Sequence, residues 1–232
     1  MHDILEAGSI ELGHPLTPLQ IDLCCRFADL MLEKNKVMNL TAITDPPSVA
    51  SLHFLDSLAI LSAADFQGKS VIDIGCGAGF PGVPLCIARP DTSITLLDSL
   101  KKRIDWLSQV LPTLKLSAEC VSARAEDYAL SHREEFDIAV SRAVARLNVL
   151  SELALPLVHP GGFFIAMKST ETDQELSEAA NGISLLGGRI NAVTTYQVPF
   201  TDVSHRLIVI QKIRQTPKGY PRRFSKIKQS PL

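Results

Sequence analysis

The segment Val71-Ile72-Asp73-Ile74 runs without a break into Gly75-Cys76-Gly77-Ala78-Gly79-Phe80-Pro81-Gly82. Four glycines in eight residues after a short apolar run mark a strand that turns sharply. The glycines let backbone pass close to a neighbour, and Pro84–Arg89 then reads as a helix. A strand, a glycine turn and a helix form the opening half of a βαβ unit. The rest of the chain repeats that alternation. Ser93–Leu97, Leu116–Val121, Phe136–Val140 and Phe163–Met167 read as strands. Helical patterns over Lys101–Val110, Leu147–Leu157 and Thr172–Leu186, and a short segment around Glu126–Leu130, separate them. Such alternation implies a mostly parallel sheet with helices on both faces. Ile190–Val198 and Leu207–Gln211 follow with no helix between them, so the last strand is expected to be antiparallel.

Upstream, the character is helical. Leu19, Leu23, Phe27, Leu30 and Met31 recur at three- and four-residue steps, which predicts a helix over 18–35 with Thr17 as its cap. Asp45 and Pro46 open a second helix over about 46–63. The chain therefore divides into a helical N-terminal extension (1–66), a Rossmann-like domain (67–213) and a basic tail (214–232).

Charge patterning supports that last boundary. The 232 residues carry 23 Lys+Arg against 25 Asp+Glu, formally −2. Residues 211–232 hold seven basic side chains and no acidic one, so residues 1–210 carry 16 basic against 25 acidic, or −9. An acidic body with a basic tail suits contact with a polyanion. The five cysteines include no C-x-x-C pair, and no metal site is expected. Neither a signal peptide nor an apolar stretch of membrane-spanning length is visible, so the reading is a cytoplasmic monomer away from membranes.

Two ligand classes use a glycine turn of this kind. Gly77-x-Gly79-x-x-Gly82 formally matches a dinucleotide fingerprint, which leaves a nicotinamide-dependent oxidoreductase open. Asp73 and the N–H-less Pro81 and Pro84 suit a pyrophosphate poorly. S-adenosylmethionine is cationic at its sulfonium and welcomes an acid. Asp73-x-Gly75-x-Gly77-x-Gly79 resembles motif I of the Rossmann-like S-adenosylmethionine-dependent methyltransferases. Asp98, at the end of the second strand, can accept ribose hydroxyls or cap the helix that follows, and Glu126 follows the third strand, where the adenine contacts of the methyltransferases it resembles lie.

The acceptor is narrowed by what the chain lacks. After the fourth strand stands Ser141-Arg142-Ala143-Val144, with neither the Pro-Pro-aromatic set of amino-group methyltransferases nor a nucleophilic Cys. A cation follows each strand instead: Lys102, Arg124, Arg142 and Lys168, with Arg206 on the same edge. Together with Arg222 and Arg223 of the tail, these suit a phosphate backbone. A cationic mouth without a general base fits an acceptor that is already nucleophilic, as guanine N7 is. Arg142 and Lys168 are the positioning candidates, and no catalytic residue is assigned. A non-catalytic ribosome-binding factor on the same fold also remains open.

Asp73-Ile74-Gly75-Cys76-Gly77-Ala78-Gly79-Phe80-Pro81-Gly82-Val83-Pro84-Leu85, Leu96–Arg103 and Ser141-Arg142-Ala143 resemble the glucose-inhibited division protein B family. So do Asn39-Leu40-Thr41, His53–Ser57 and Tyr220–Arg223, and the match covers about residues 17–223. The resemblance implies a methyltransferase acting at N7 of the guanine at position 527 of 16S rRNA, with that RNA or the small ribosomal subunit as partner. It implies S-adenosylmethionine contacts at Gly75, Phe80, Asp98, Ala125, Glu126 and Arg142. It puts RNA-facing cations at Lys102, Arg124, Lys168 and Arg206. His53 lies in the family's His-x-x-Asp-Ser pattern, either facing the cofactor or acceptor base or bridging the second helix to the sheet with Asp56.

Overall fold

The computed structural model describes residues 1–142 and 144–232. Ala143, the last residue of the Ser-Arg-Ala motif, lies outside the described residues. Helix α1 (His2–Glu11) and helix α2 (Pro18–Met38) come first. Thr17 and Gln20 close a reciprocal capping box at the start of α2, and Pro18 occupies its first turn. Asp45 caps α3 (Pro46–Val49) by accepting from Ser48 N–H at 2.9 Å. The helix then widens into a π-helical turn (Ala50–Leu55). It returns to α geometry in α4 (Asp56–Leu58) and ends in a 3₁₀ turn (Ala59–Ser62).

Seven strands follow: β1 (Ser70–Ile74), β2 (Ser93–Asp98), β3 (Glu119–Ser122), β4 (Phe136–Arg142), β5 (Val158–Ser169), β6 (Gly188–Gln197) and β7 (Ser204–Lys212). They form one sheet in the order β3-β2-β1-β4-β5-β7-β6. The first five pair in parallel. β7 enters antiparallel between β5 and β6, as the closing strand pair led one to expect. The crossovers are α5 (Gly82–Ala88), α6 (Lys101–Thr113), α7 (Ala125–Tyr128), α8 (Leu147–Ala154) and α9 (Asp173–Leu185).

Strand side chains alternate between two apolar layers. Val71, Leu96, Ile138, Val140, Ile165 and Val209 face the layer that holds α1 and α2. Ile72, Ile74, Leu97, Ala139, Phe164 and Ile208 face the layer of α8 and α9. The helical N-terminal segment thus shares its core with the sheet. Phe27 of α2 sits 5.9 Å from the Phe80 ring and 5.8 Å from the Trp106 ring, which ties α2 directly to the glycine turn.

The basic tail is docked rather than loose. Lys212 is fully buried and donates to Leu155 O, Val158 O and Thr216 Oγ1. Tyr220 and Thr216 give their carbonyls to Arg133. A short helix, α10 (Phe224–Gln229), buries Ile227 in the α8–α9 layer. All five cysteines are unpaired, with Cys24, Cys76 and Cys86 buried. No described helix is long and apolar enough to cross a membrane.

Candidate active site

Two cavities open beside the carboxyl ends of the strands. The first has a volume of about 500 Å³ and is lined by Gly75, Gly77, Phe80, Asp98, Ala125, Glu126 and Arg142, among others. These are seven of the nine residues expected to hold a cofactor. Asp73 and Gly79 are the other two, and both work from beneath the turn. Asp73 is fully buried, and its Oδ2 accepts from Gly82 N–H at 2.8 Å. A Cβ on Gly82 would lie 2.3 Å from Leu96 Cδ2 and 2.8 Å from Asp73 Oδ2, so only glycine lets α5 start this close to β1 and β2. Burial pushes the Asp73 carboxyl up to about 7. A Cβ on Gly79 would meet Val83, Leu107 and Phe27, so its bareness serves packing below the cavity floor.

Every N–H of the turn but that of Ala78 is already spent. Gly75 and Cys76 donate to Leu97 O, Gly79 and Phe80 to Cys76 O, Gly77 to Asp98 Oδ2 and Gly82 to Asp73 Oδ2. A pyrophosphate would need such N–H groups free. The geometry therefore does not favour the dinucleotide reading.

Asp98 holds the turn and the next helix together. Its Oδ2 takes Gly77 N–H at 3.0 Å and its Oδ1 takes Leu100 N–H at 2.8 Å, beside Arg103 at 3.7 Å. A carboxylate has about four acceptor positions, so capacity remains toward the cavity. Glu126 is 7% exposed on the cavity wall, and burial raises its pKa.

A polar partition separates the first cavity from the second. Arg142 donates to Leu52 O and to Asp56 Oδ2, each at 2.9 Å, and lies over the Phe80 ring at 5.3 Å. His53 stacks on the same ring, 4.7 Å away. Its Nδ1 faces Arg142 Nη2 at 3.2 Å and its Nε2 faces Thr41 Oγ1 at 2.8 Å. Since Arg142 can only donate, Nδ1 accepts and Nε2–H donates to Thr41. His53 thus bridges the π-helical turn to β4 through Arg142, not through Asp56. Asp56 accepts on Oδ1 from Tyr196 and His205, both at 2.7 Å. Burial alone would raise its pKa, but His205, Arg142 and Tyr196 outweigh it and hold the carboxyl below its usual range.

Burial, with Arg142 adding to it, lowers His53 to about 4. An unfolded His titrates near 6.5 and then binds a proton the folded one refuses. Stability from neutral His53 is present above that value and lost as pH falls from 6.5 toward 4, by about 3 kcal/mol in full. Thermal melts from pH 7 to pH 4.5 should therefore fall more steeply for the parent protein than for His53→Gln. Parallel slopes would remove His53 as the cause.

The second cavity, about 690 Å³, is lined by Leu52, His53, Asp56, Arg142, Lys168, Glu175, Val203 and His205, among others. The expected cations divide around it. Lys168 is bound to Ala145 O and Glu175 Oε2, Arg206 to Asp173, and Arg222 to the fully buried Glu152. Lys102, Arg124 and Arg223 are exposed and, among the described residues, without an ion-pair partner. Arg124 lies 5.0 Å from the Phe224 ring of α10. The convergence expected of five free cations is thus narrower, because carboxylates neutralise Arg142, Lys168 and Arg206. Tyr196, His205 and Glu175 were missed in the sequence, whereas Asp56 is the acid of the His53–Ser57 motif. No cluster of three or more metal-ligating side chains occurs among the described residues.

Comparison with known proteins places this geometry. A protein of Clostridium botulinum named Ribosomal RNA small subunit methyltransferase G is 46% identical over 99% of this chain and 98% of its own. One of Alkaliphilus oremlandii with the same name is 45% identical over 100% and 99%. The crystal structure of a precorrin-6y C5,15-methyltransferase from Geobacter metallireducens shares the fold, with a TM-score of 0.53 at 14% identity over 76% of this chain and 92% of that one. The family model described as GidB, rRNA small subunit methyltransferase G, matches residues 20–204. The chain belongs to that methyltransferase family.

Proposed function

We propose that this protein transfers a methyl group from S-adenosylmethionine to N7 of a guanine in 16S rRNA, at position 527. The observation that carries the reading is the pair of cavities sharing the Arg142–His53 partition. One chamber suits the methyl donor and the other the acceptor base. The donor chamber fits its ligand chemically. Asp98 offers acceptors to the two ribose hydroxyls, Glu126 offers an acceptor to the adenine amino group, and Phe80 supplies an apolar face. When bound, S-adenosylmethionine supplies an electrophilic methyl on its sulfonium.

Guanine N7 has an exposed lone pair and no proton to lose, so this chain needs no general base. His53 agrees with that, because both of its ring nitrogens are committed within the protein. The residues have to align the acceptor and exclude water, which can supply much of the rate. Arg142, locked on Asp56 and Leu52, forms a rigid wall at the junction. Lys102, Arg124 and Arg223 are the cations open to RNA phosphates. Lys168, Arg206 and Arg222 would first have to leave their carboxylate partners.

Two measurements test the reading. Calorimetric titration with S-adenosylmethionine should show one saturable site, whereas NADH should give none. Mass spectrometry of 16S rRNA incubated with protein and cofactor should place one methyl group on N7 of guanine 527. No binding at millimolar cofactor, or a methyl group on another atom, would overturn it.

A further inference from the structure

We infer that Glu175, with Lys168 beside it, reads the Watson–Crick edge of the acceptor guanine in the second cavity. The inference rests on the methyltransferase reading and adds the residue that sets base specificity. Two carboxylates line this chamber. Asp56 has both oxygens occupied, Oδ1 by Tyr196 and His205 and Oδ2 by Arg142. Glu175, in the first turn of α9, differs. Its Oε2 accepts from Lys168 Nζ at 2.8 Å and from Leu147 N–H at 2.9 Å, while its Oε1 has no partner among the described residues. Burial would raise its pKa, but Lys168 and the Leu147 amide outweigh it and keep the carboxyl ionised.

The lysine is arranged to match. An ammonium has three protons. Lys168 gives one to Ala145 O and one to Glu175 Oε2, which leaves one. The pair thus presents a donor beside an acceptor. Guanine offers the complement, with O6 as acceptor and N1–H and N2–H₂ as donors. Adenine offers the reverse, an amino group against the ammonium and a lone pair against the carboxylate. With the Watson–Crick edge held here, N7 on the adjoining Hoogsteen edge is left free to react. Extruded bases are commonly read in this way, along their Watson–Crick edge.

Glu175→Gln tests the role without undoing the local structure. The one oxygen of Gln stays with Lys168 and the Leu147 amide, so its NH₂ turns toward the guanine donors. The substrates are small ribosomal subunits carrying either guanine or inosine, which lacks only the 2-amino group, at the methylated position. The parent protein should prefer guanine in kcat/KM by roughly 10-fold or more, since a site built for hydrogen bonds rejects the analogue lacking one. In Glu175→Gln, guanine methylation should fall by a similar factor and the preference should drop to about one. S-adenosylmethionine affinity should stay unchanged. A purely structural role would slow both substrates equally and preserve the ratio, which would overturn the inference. Equal rates for the parent protein would overturn it too. Failure of the parent protein to methylate either substrate is a different result, and it would defeat the methyltransferase reading itself.

Discussion

Arg222→Ala should lower the stability of this protein by about 3–5 kcal/mol, the cost of leaving a buried charge without its partner. Glu152 on α8 is fully buried, and the Arg222 side chain is only 15% exposed. The guanidinium reaches both carboxylate oxygens, with Nη2 to Oε2 at 2.6 Å and Nε to Oε1 at 2.8 Å. The Arg222 backbone N–H also donates to Oε1, and it alone would remain. A chain of this length loses roughly 2–4 °C of melting temperature per kcal/mol, so the expected drop is on the order of 10 °C. Arg223→Ala, one residue further and exposed, should stay within about 0.5 kcal/mol. Calorimetric melts of the two variants decide the matter. A melting point for Arg222→Ala within 2 °C of the parent (roughly the effect of a 0.5–1 kcal/mol change) would show that the pair holds nothing. A sequence rich in Lys and Arg suggests a tail built wholly for RNA, yet this arginine serves as a fastener.

The second large effect concerns the cofactor. Asp98→Ala should weaken S-adenosylmethionine binding by roughly 1–3 kcal/mol, or about 5- to 150-fold, from lost hydrogen bonds to a charged acceptor. The same change strips Gly77 N–H and Leu100 N–H of their partner, so the turn that forms the cavity floor would loosen as well. Asp98→Asn separates the two contributions. It keeps one oxygen for the helix start but sets an amide donor against its remaining neighbours. Its affinity should fall between that of the parent and that of the alanine variant. Isothermal titration reads all three proteins, and undiminished affinity in Asp98→Ala would remove Asp98 from the site.

The chain declares its sheet more openly than its periphery, and particular residues show why. Buried strands such as Ile94–Leu97 are nearly continuous apolar runs, and their order along the chain gives the parallel core directly. β3, expected over 116–121, begins only at Glu119. Helix α6 stops at Thr113, Lys115 beyond it adopts a left-handed conformation, and Leu116 N–H folds back to Leu111 O. β5, expected from Phe163, starts at Val158, because Pro160-Gly161-Gly162 reads as a turn but is spanned by an irregular pairing with β4. Helix α1 gave no signal. Its contact face uses Leu5, Gly8 and Ser9, and a Cβ on Gly8 would strike Leu55 at 2.2 Å, so close approach seats it together with a single buried leucine. The π-helical turn that aims His53 likewise has no residue signature.

The site divides in the same way. Gly75, Gly77, Asp98 and Glu126 are legible because each follows a strand that the alternation locates. The partition is not, since Thr41, His53, Asp56, Arg142, Tyr196 and His205 meet only through the fold. Pairing is also invisible in a list of cations. Lys168 and Arg206 look as available as Lys102 until their carboxylate neighbours are in place.

The Arg142–His53 partition makes the two chambers thermodynamic neighbours. Any ligand that shifts the equilibrium position of that wall does work on both sides of it. Whatever factor the RNA adds to cofactor affinity, the cofactor must add to RNA affinity, because the cycle of binding steps closes. Demethylated cofactor would take the proposed donor chamber without its reactive methyl group. The difference in RNA affinity between the two cofactor forms is therefore a measure of how strongly the wall transmits. Product release and substrate capture are, by this linkage, two readings of one coupling.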